Sequence, residues 1–120
     1  MPRITTKRVY DPPAPNDGLR VLVDRLWPRG LSRERAAVDL WLKDIAPSDN
    51  LRRWFDHAPA RWEAFRERYQ AELAGAPAVL QSLRTALAGH QAVTLLFAAK
   101  DAGHNNAVAL KAFLESNPSA

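Results

Sequence analysis

The sequence has no cysteine among its 120 residues. This absence excludes disulfide bonds, thiolate nucleophiles and cysteine metal ligands. Its three histidines are scattered without the spacing of a metal site, so we expect no metal and no cofactor. No signal peptide and no apolar run of about twenty residues is visible, which predicts a cytoplasmic protein without a membrane partner.

The glycine and serine motifs of well-known catalytic sites are missing as well. Gly18 and Gly30 form neither a dinucleotide-binding fingerprint nor a phosphate-binding loop of the Walker type. Ser32 lies outside any Gly-x-Ser-x-Gly context. The sequence therefore specifies no reaction, and whether the protein is an enzyme stays open.

The residues that are present have the composition of one ordinary globular domain. Apolar residues make up 47% of the chain and charged residues 25%, and a chain of this length can bury a core of its own. We therefore expect a single domain over residues 1–120. Of the 17 basic residues, 13 are arginine, which pairs with carboxylate and phosphate groups in bidentate geometry. The net charge of +4 favours an anionic partner but is modest.

Apolar β-branched runs predict three strands, at residues 4–9, 20–24 and 92–98. Residues 38–45 stay open between an edge strand and a helical turn, because their alternation fits both. Caps and periodicity predict five helices, at residues 33–37 after Ser32, 49–55 after Ser48, 59–74 from Pro59, 78–88 and 106–115. In the longest of them, Trp62, Phe65, Tyr69 and Leu73 recur at helical spacing and predict one buried stripe.

This pattern predicts an α/β fold with a small, mostly parallel sheet of three or four strands and helices packed on it. The helices between residues 24 and 93 supply a crossover, so the strands at 21–24 and 93–97 should be parallel neighbours. The order of the strands in the sheet and the oligomeric state stay open.

Polar side chains follow two of these strands, at residues 24–30 and 100–106. Ligands of open α/β sheets collect at the carboxyl ends of the strands, so we expect Arg25, Arg29 and Lys100 around one concavity. The amides that begin the last helix would add donors for an anion, and aromatic rings would form walls. The candidate ligand-binding residues are Tyr10, Asp24, Arg25, Trp27, Arg29, Lys100, Asn105 and Asn106, and the candidate catalytic residues are Asp24, Lys100 and Asp101.

Each candidate also has a structural interpretation. Asp24 and Arg25 would form an ion pair, Trp27 would fill the core, and one of the asparagines at 105 and 106 would cap the helix. His104 has the chemistry of a general base. His57 and His90 are interpreted as surface residues.

One spaced set of residues runs through nearly the whole chain. It consists of Lys7 to Pro12, Asp17-Gly18, Val21 to Gly30, Ala46-Pro47-Ser48, Leu51-Arg52, Phe65, Tyr69, Glu72-Leu73, Thr94-Leu95-Leu96, Ala99-Lys100 and Asn105-Asn106-Ala107. In this set the chain resembles the YeaO-like family, a branch of the domain-of-unknown-function group 488. The resemblance implies a single compact α/β domain and brings no settled activity. It fixes Lys100 and the pair Asn105-Asn106 but leaves position 104 open.

Three functions remain to be compared. The first is a site for a small anionic or nucleotide-like ligand, either enzymatic or sensory. The second is nucleic-acid binding, in which arginines and Trp27, Trp41, Trp54 and Trp62 would form a stacking surface. The third is a stress-accessory or interaction module whose pocket is structural. The first fits best, because most of these aromatic residues have core spacing and acidic residues are mixed among the arginines.

Overall fold

Four short strands form one parallel sheet in the computed structural model, which describes residues 2–117. In chain order they are β1 (Arg3–Arg8), β2 (Leu19–Leu22), β3 (Leu40–Trp41) and β4 (Ala92–Phe97). Their order in space is β1-β4-β2-β3, and all three pairings are parallel. The α/β class and the pairing of the second and last strands are confirmed.

The most apolar strand, β4, lies inside the sheet, where both of its faces are covered. Its residues are buried from Val93 to Phe97, as expected for a strand with few polar side chains. Its neighbours β1 and β2 bond to its two edges, and Val21 of β2 pairs with Leu95. This register brings the ends of β2 and β4 together.

All three predicted strands end one or two residues too late at the carboxyl edge, and the last of them ends at Phe97 rather than at Ala98. β2 ends at Leu22 rather than at Asp24, although the Val23 amide still donates to the Leu96 carbonyl at 3.1 Å. The first amide after β4, that of Ala98, donates to the Asp24 carboxylate instead of to a backbone carbonyl. The Asp24 side chain thus takes the place of a backbone carbonyl in the strand pairing, and the strand ends there. The first strand also begins and ends one residue earlier than predicted.

The ambiguous stretch at residues 38–45 contains both alternatives. Leu40 and Trp41 pair with β2, and a 3₁₀ turn, Lys43–Ile45, follows directly. The 3₁₀ turn ends at Ile45 because Pro47 follows Ala46, and the residue before a proline is disfavoured in a helix. The alternating pattern therefore supports only two residues of edge strand.

Within residues 2–117 five α-helices surround the sheet, and the serine caps are confirmed. Ser32 accepts a bond from the Arg35 amide and Ser48 from the Leu51 amide. Pro59 begins a 3₁₀ turn rather than the long helix, since the Trp62 amide bonds back only three residues. The helices are α1 (Arg33–Ala36), α2 (Asp49–Phe55), α3 (Trp62–Ala74), α4 (Pro77–Leu87) and α5 (Asn106–Ser116).

Alternate residues of the strands enter two separate hydrophobic clusters. Val21, Val93 and Leu95 point to the larger cluster, which includes residues of α2, α3, α4 and α5. Leu22 and Leu96 point to the smaller cluster, which α1 and the loops around it cover. This two-residue period is the signature of a sheet with both faces packed.

The predicted stripe of α3 is buried except at its beginning. Phe65, Tyr69 and Leu73 are each 3% exposed or less, whereas Trp62 is half-buried and packs against the edge of the cluster. The Tyr69 hydroxyl donates to the Ile45 carbonyl at 2.6 Å, which satisfies its polar atom inside the core. No helix in the part of the chain that the structure describes has both the length and the apolar character needed to cross a membrane.

Candidate functional site

A cavity of about 740 Å³ opens at the carboxyl ends of β1, β2 and β4. The segment that follows β2, the segment that follows β4, the beginning of α5 and parts of α2 and α3 form its walls. Every residue predicted for the site lines this one cavity: Tyr10, Asp24, Arg25, Trp27, Arg29, Lys100, Asp101, Asn105 and Asn106. The structure thus brings them together, whereas their role in binding stays a prediction.

Asp24 ties the end of β2 to the end of β4 and to α5. Its carboxylate accepts the Ala98 amide at 2.9 Å and the Asn106 side-chain amide at 3.1 Å. Burial raises the pKa of Asp24, and these two bonds, together with nearby His57, oppose that rise. In the described chain Asp24 forms no ion pair with Arg25, so the interpretation as a salt bridge is wrong.

Arg25 is held by backbone carbonyls instead of by an acid. Its Nη2 donates to the Ala46 carbonyl at 3.2 Å and to the Pro47 carbonyl at 3.4 Å. Its Nε is buried and has no hydrogen-bond partner in the described part of the protein. A guanidinium that only neutral carbonyls contact keeps its full positive charge at the cavity wall.

A hydrogen bond between Tyr10 and Arg29 joins the loop after β1 to the loop after β2 at the cavity. The Tyr10 hydroxyl donates to the Arg29 backbone carbonyl at 2.8 Å. The guanidinium of Arg8 lies over the Tyr10 ring, 4.9 Å from its centre, while also donating to the Ala99 carbonyl. The Arg29 side chain is exposed and makes no polar contact with the described residues, so it is available at the cavity.

Trp27 has both of the roles considered for it. Its ring packs against the smaller hydrophobic cluster and also lines the cavity. Its Nε1 donates to the Leu31 carbonyl at 2.7 Å, and its ring meets the Trp41 ring edge-on at 5.5 Å. The guanidinium of Arg33 covers the ring at 4.7 Å. Trp27 is therefore a fixed wall and has no free indole donor.

The two asparagines at the beginning of α5 have different tasks. Asn105 is the cap, because its side-chain oxygen accepts the Val108 amide at 3.0 Å. Asn106 donates from its side-chain amide to the Val23 carbonyl at 3.0 Å as well as to Asp24. The prediction that one asparagine caps the helix is confirmed, and the other one joins α5 to the end of β2.

The loop after β4 places a carboxylate and a cation side by side in the sequence but gives them different surroundings. Asp101 accepts the amides of Gly103 and His104 at 2.9 and 3.1 Å and contacts the His104 ring nitrogen Nδ1 at 3.0 Å. The Gly103 amide bond and the bond with His104 lower the pKa of Asp101. Lys100 is exposed and pairs with none of the described residues.

Several residues of the cavity were not predicted from the sequence, and His57 is the clearest case. It is exposed, as predicted for a surface residue, and it also lines the same cavity as Asp24. Its backbone φ of 52° follows another positive φ, 48° at Asp56. Arg52, Phe55, Phe65 and His104 also line the cavity. No sequence signal placed Arg52, Phe55 or Phe65 at the site, because the chain brings α2 and α3 there only through packing. His104, considered as a general base, lies in the loop after β4.

The balance of charge around the cavity is positive. Four permanent cations, at positions 25, 29, 52 and 100, stand against the two carboxylates of Asp24 and Asp101. Both carboxylates already accept hydrogen bonds within the protein. In the described chain no group of three or more His, Cys, Asp or Glu side chains could hold a metal ion.

Comparisons with known proteins agree with the resemblance. The family model described as "Inactive DUF488-N3 subclade" matches residues 3–119. The uncharacterized protein YeaO of Escherichia coli K12 is 44% identical over 94% of this chain and 97% of its own length. The uncharacterized protein Rv3073c of Mycobacterium tuberculosis H37Rv is 42% identical over 93% of each chain. No solved structure matches. The chain therefore belongs to the DUF488 family, as a YeaO-like member.

Proposed function

We propose that the cavity binds a small anionic ligand and that Arg25, Arg29 and Lys100 hold its charge. The observation that carries this proposal is the imbalance at the cavity wall. Four permanent cations line the cavity, and both of its carboxylates are already engaged in bonds to the protein. Of the four cations only Arg52 pairs with an acid, Asp49, so Arg25, Arg29 and Lys100 have no acidic partner in the described chain, and a bound anion would offset their charge.

The positions of the cations support an anion at the strand ends. Arg25 contacts only backbone carbonyls, while Arg29 and Lys100 have no partner in the described chain. Helix α5 begins beside them, and its first amides add the positive end of a helix dipole. Phosphate and carboxylate groups match arginine geometry and are the anions we expect there.

Binding without catalysis fits these residues better than an enzymatic reaction. Asp24, a candidate acid or base, uses its two carboxylate oxygens to join three elements of the fold. Asp101 organises its own loop through two amides. The description of the matching family as inactive points in the same direction. A sensory or accessory role for the bound ligand follows from this proposal.

Thermal unfolding with inorganic phosphate and sulfate tests the proposal. Either anion should raise the melting temperature in a concentration-dependent way, because a ligand that binds only the folded state stabilises it. Lys100→Met keeps the apolar stem and removes the charge, so it should abolish most of the rise. Lys111→Met is the matched control, since Lys111 lies on α5 away from the cavity lining. An equal rise in the Lys100→Met protein would contradict the proposal.

Nucleic-acid binding is the second candidate, and the tryptophans give it little support. All four are half-buried, and Trp27, Trp41 and Trp54 each already have a cation of the protein over the ring. Binding to mixed oligonucleotides that weakens steeply with salt would favour it over a small ligand.

A further inference from the structure

Aromatic rings line a second wall of the cavity, which is apolar, in contrast to the wall that carries the cations. Phe55 of α2 and Phe65 of α3 stack with ring centres 4.4 Å apart, and both line the cavity. His57 follows α2 directly, and its ring lies 6.5 Å from that of Phe55. Most of the cavity surface is apolar despite the charges on it. An inorganic anion alone would gain no binding energy from contact with these apolar rings.

The backbone at His57 is held in an uncommon conformation. Asp56 and His57 both have positive φ, at 48° and 52°, although neither is a glycine. One such residue commonly ends a helix, but a second one costs additional backbone energy. This pair of residues turns the chain so that the exposed His57 ring lines the cavity near Asp24. His57 makes no hydrogen bond in the described chain, so its ring is available to a ligand.

We propose that the ligand joins an anionic group to a flat unsaturated ring, and that His57 is the residue that selects for the ring. This inference rests on the proposed function, because the anionic group would occupy the cationic wall. The ring would then lie against the exposed His57, at the side of the cavity that the buried Phe55 and Phe65 line. A nucleoside monophosphate is the simplest biological compound with both parts.

The size of the cavity agrees with a two-part ligand. Its volume of about 740 Å³ falls in the range of about 300–1,000 Å³ that is typical of sites for organic ligands. A phosphate ion alone would leave most of this space filled with water against apolar walls. Stacking of a base on an aromatic side chain strengthens binding by about tenfold or more.

Four probes separate the two parts of the ligand in calorimetric titrations of the full chain. They are inorganic phosphate, ribose 5-phosphate, adenosine and adenosine monophosphate. We expect adenosine monophosphate to bind about tenfold more tightly than ribose 5-phosphate, and adenosine to bind more weakly than either. The comparison with ribose 5-phosphate isolates the ring, because the two phosphates share the same sugar and charge.

Variants of His57 test whether this side chain recognises the ring of the ligand. His57→Ala should remove most of the preference for adenosine monophosphate and leave the affinity for ribose 5-phosphate unchanged. His57→Phe should retain the preference, because it keeps a flat ring and removes the titratable group. His90→Ala is the matched control, since His90 is exposed and does not line the cavity.

The possible results distinguish this inference from the proposal beneath it. Equal affinities for adenosine monophosphate and ribose 5-phosphate would overturn the inference and leave the anion site standing. Loss of the preference in both His57→Ala and His57→Phe would also overturn it, since the imidazole itself and not stacking would then be responsible. If none of the three phosphate-containing probes binds, the anion site itself is refuted.

Discussion

Asp17 offers the sharpest test of how the strands are held together. Its carboxylate accepts bonds from Arg20 Nη1 at 2.6 Å, from Lys7 Nζ at 3.1 Å and from the Ala14 amide at 3.0 Å. Its own backbone carbonyl accepts the Thr94 hydroxyl at 2.7 Å. Residues of β1 and β2 therefore meet at one carboxylate, and a residue of β4 binds the backbone carbonyl of the same aspartate. We predict that Asp17→Asn destabilises the protein by about 3 kcal/mol.

The magnitude follows from what the substitution would leave behind. Arg20 is only 4% exposed, and without Asp17 its charge stays buried with only the carbonyls of Ala36 and Ala37 as partners. Removing one member of a buried ion pair commonly costs about 3–5 kcal/mol. We choose the lower end because Lys7 is partly exposed and regains hydration.

Urea unfolding followed by circular dichroism measures this loss, and Asp49→Asn is the matched control. Asp49 pairs with Arg52 at 3.5 Å on the surface, where such pairs contribute at most about 1 kcal/mol. A loss for Asp17→Asn as small as that of Asp49→Asn would refute the reasoning.

The pH dependence gives an independent check on Asp17. Burial alone would raise its pKa, but the bonds from Ala14, Lys7 and Arg20 outweigh burial and hold the pKa below its ordinary value of 3.8. A lowered pKa means that the stabilisation is present above pH 3.8 and is lost as the pH falls through the folded-state pKa. The difference in unfolding free energy between the parent and Asp17→Asn should therefore shrink in acid.

Three further predictions concern the core, a turn and the cavity. Phe65→Ala should lower the unfolding free energy by about 3–5 kcal/mol in urea, and a loss near zero would mean that the helix register is wrong. Gly18→Ala should prevent stable folding, as judged by calorimetry, because its Cβ would lie 2.1 Å from the Ala92 carbonyl oxygen at a φ of +66°. Gly89→Ala, which meets no atom within 4 Å, should cost only about 1 kcal/mol and serves as its control. The raised pKa of Asp24 should make the parent lose stability relative to Asp24→Asn as pH rises above 3.8, and urea midpoints without such a slope would contradict this.

The sequence by itself determined three of the four strands and the five helices, to within a few residues at their ends, and the edge at which the cavity lies. The apolar run of β4 between Gly89 and Lys100 marked the central strand, and Ser32 and Ser48 marked two helix beginnings. These signals are local, because hydrophobic alternation and capping depend on residues only a few positions apart. Since parallel strands carry their following loops to one edge, the candidate residues after β2 and β4 also followed from local patterns.

Only the tertiary structure decided what the candidate residues contact. No local pattern pairs Arg25 with the carbonyls of Ala46 and Pro47, or Asp24 with Asn106, which is 82 positions away. The order β1-β4-β2-β3 and the place of His57 in the cavity likewise depend on how α2 and α3 pack against the sheet. Such contacts arise from the mutual fit of many distant side chains, which no short stretch of the chain encodes.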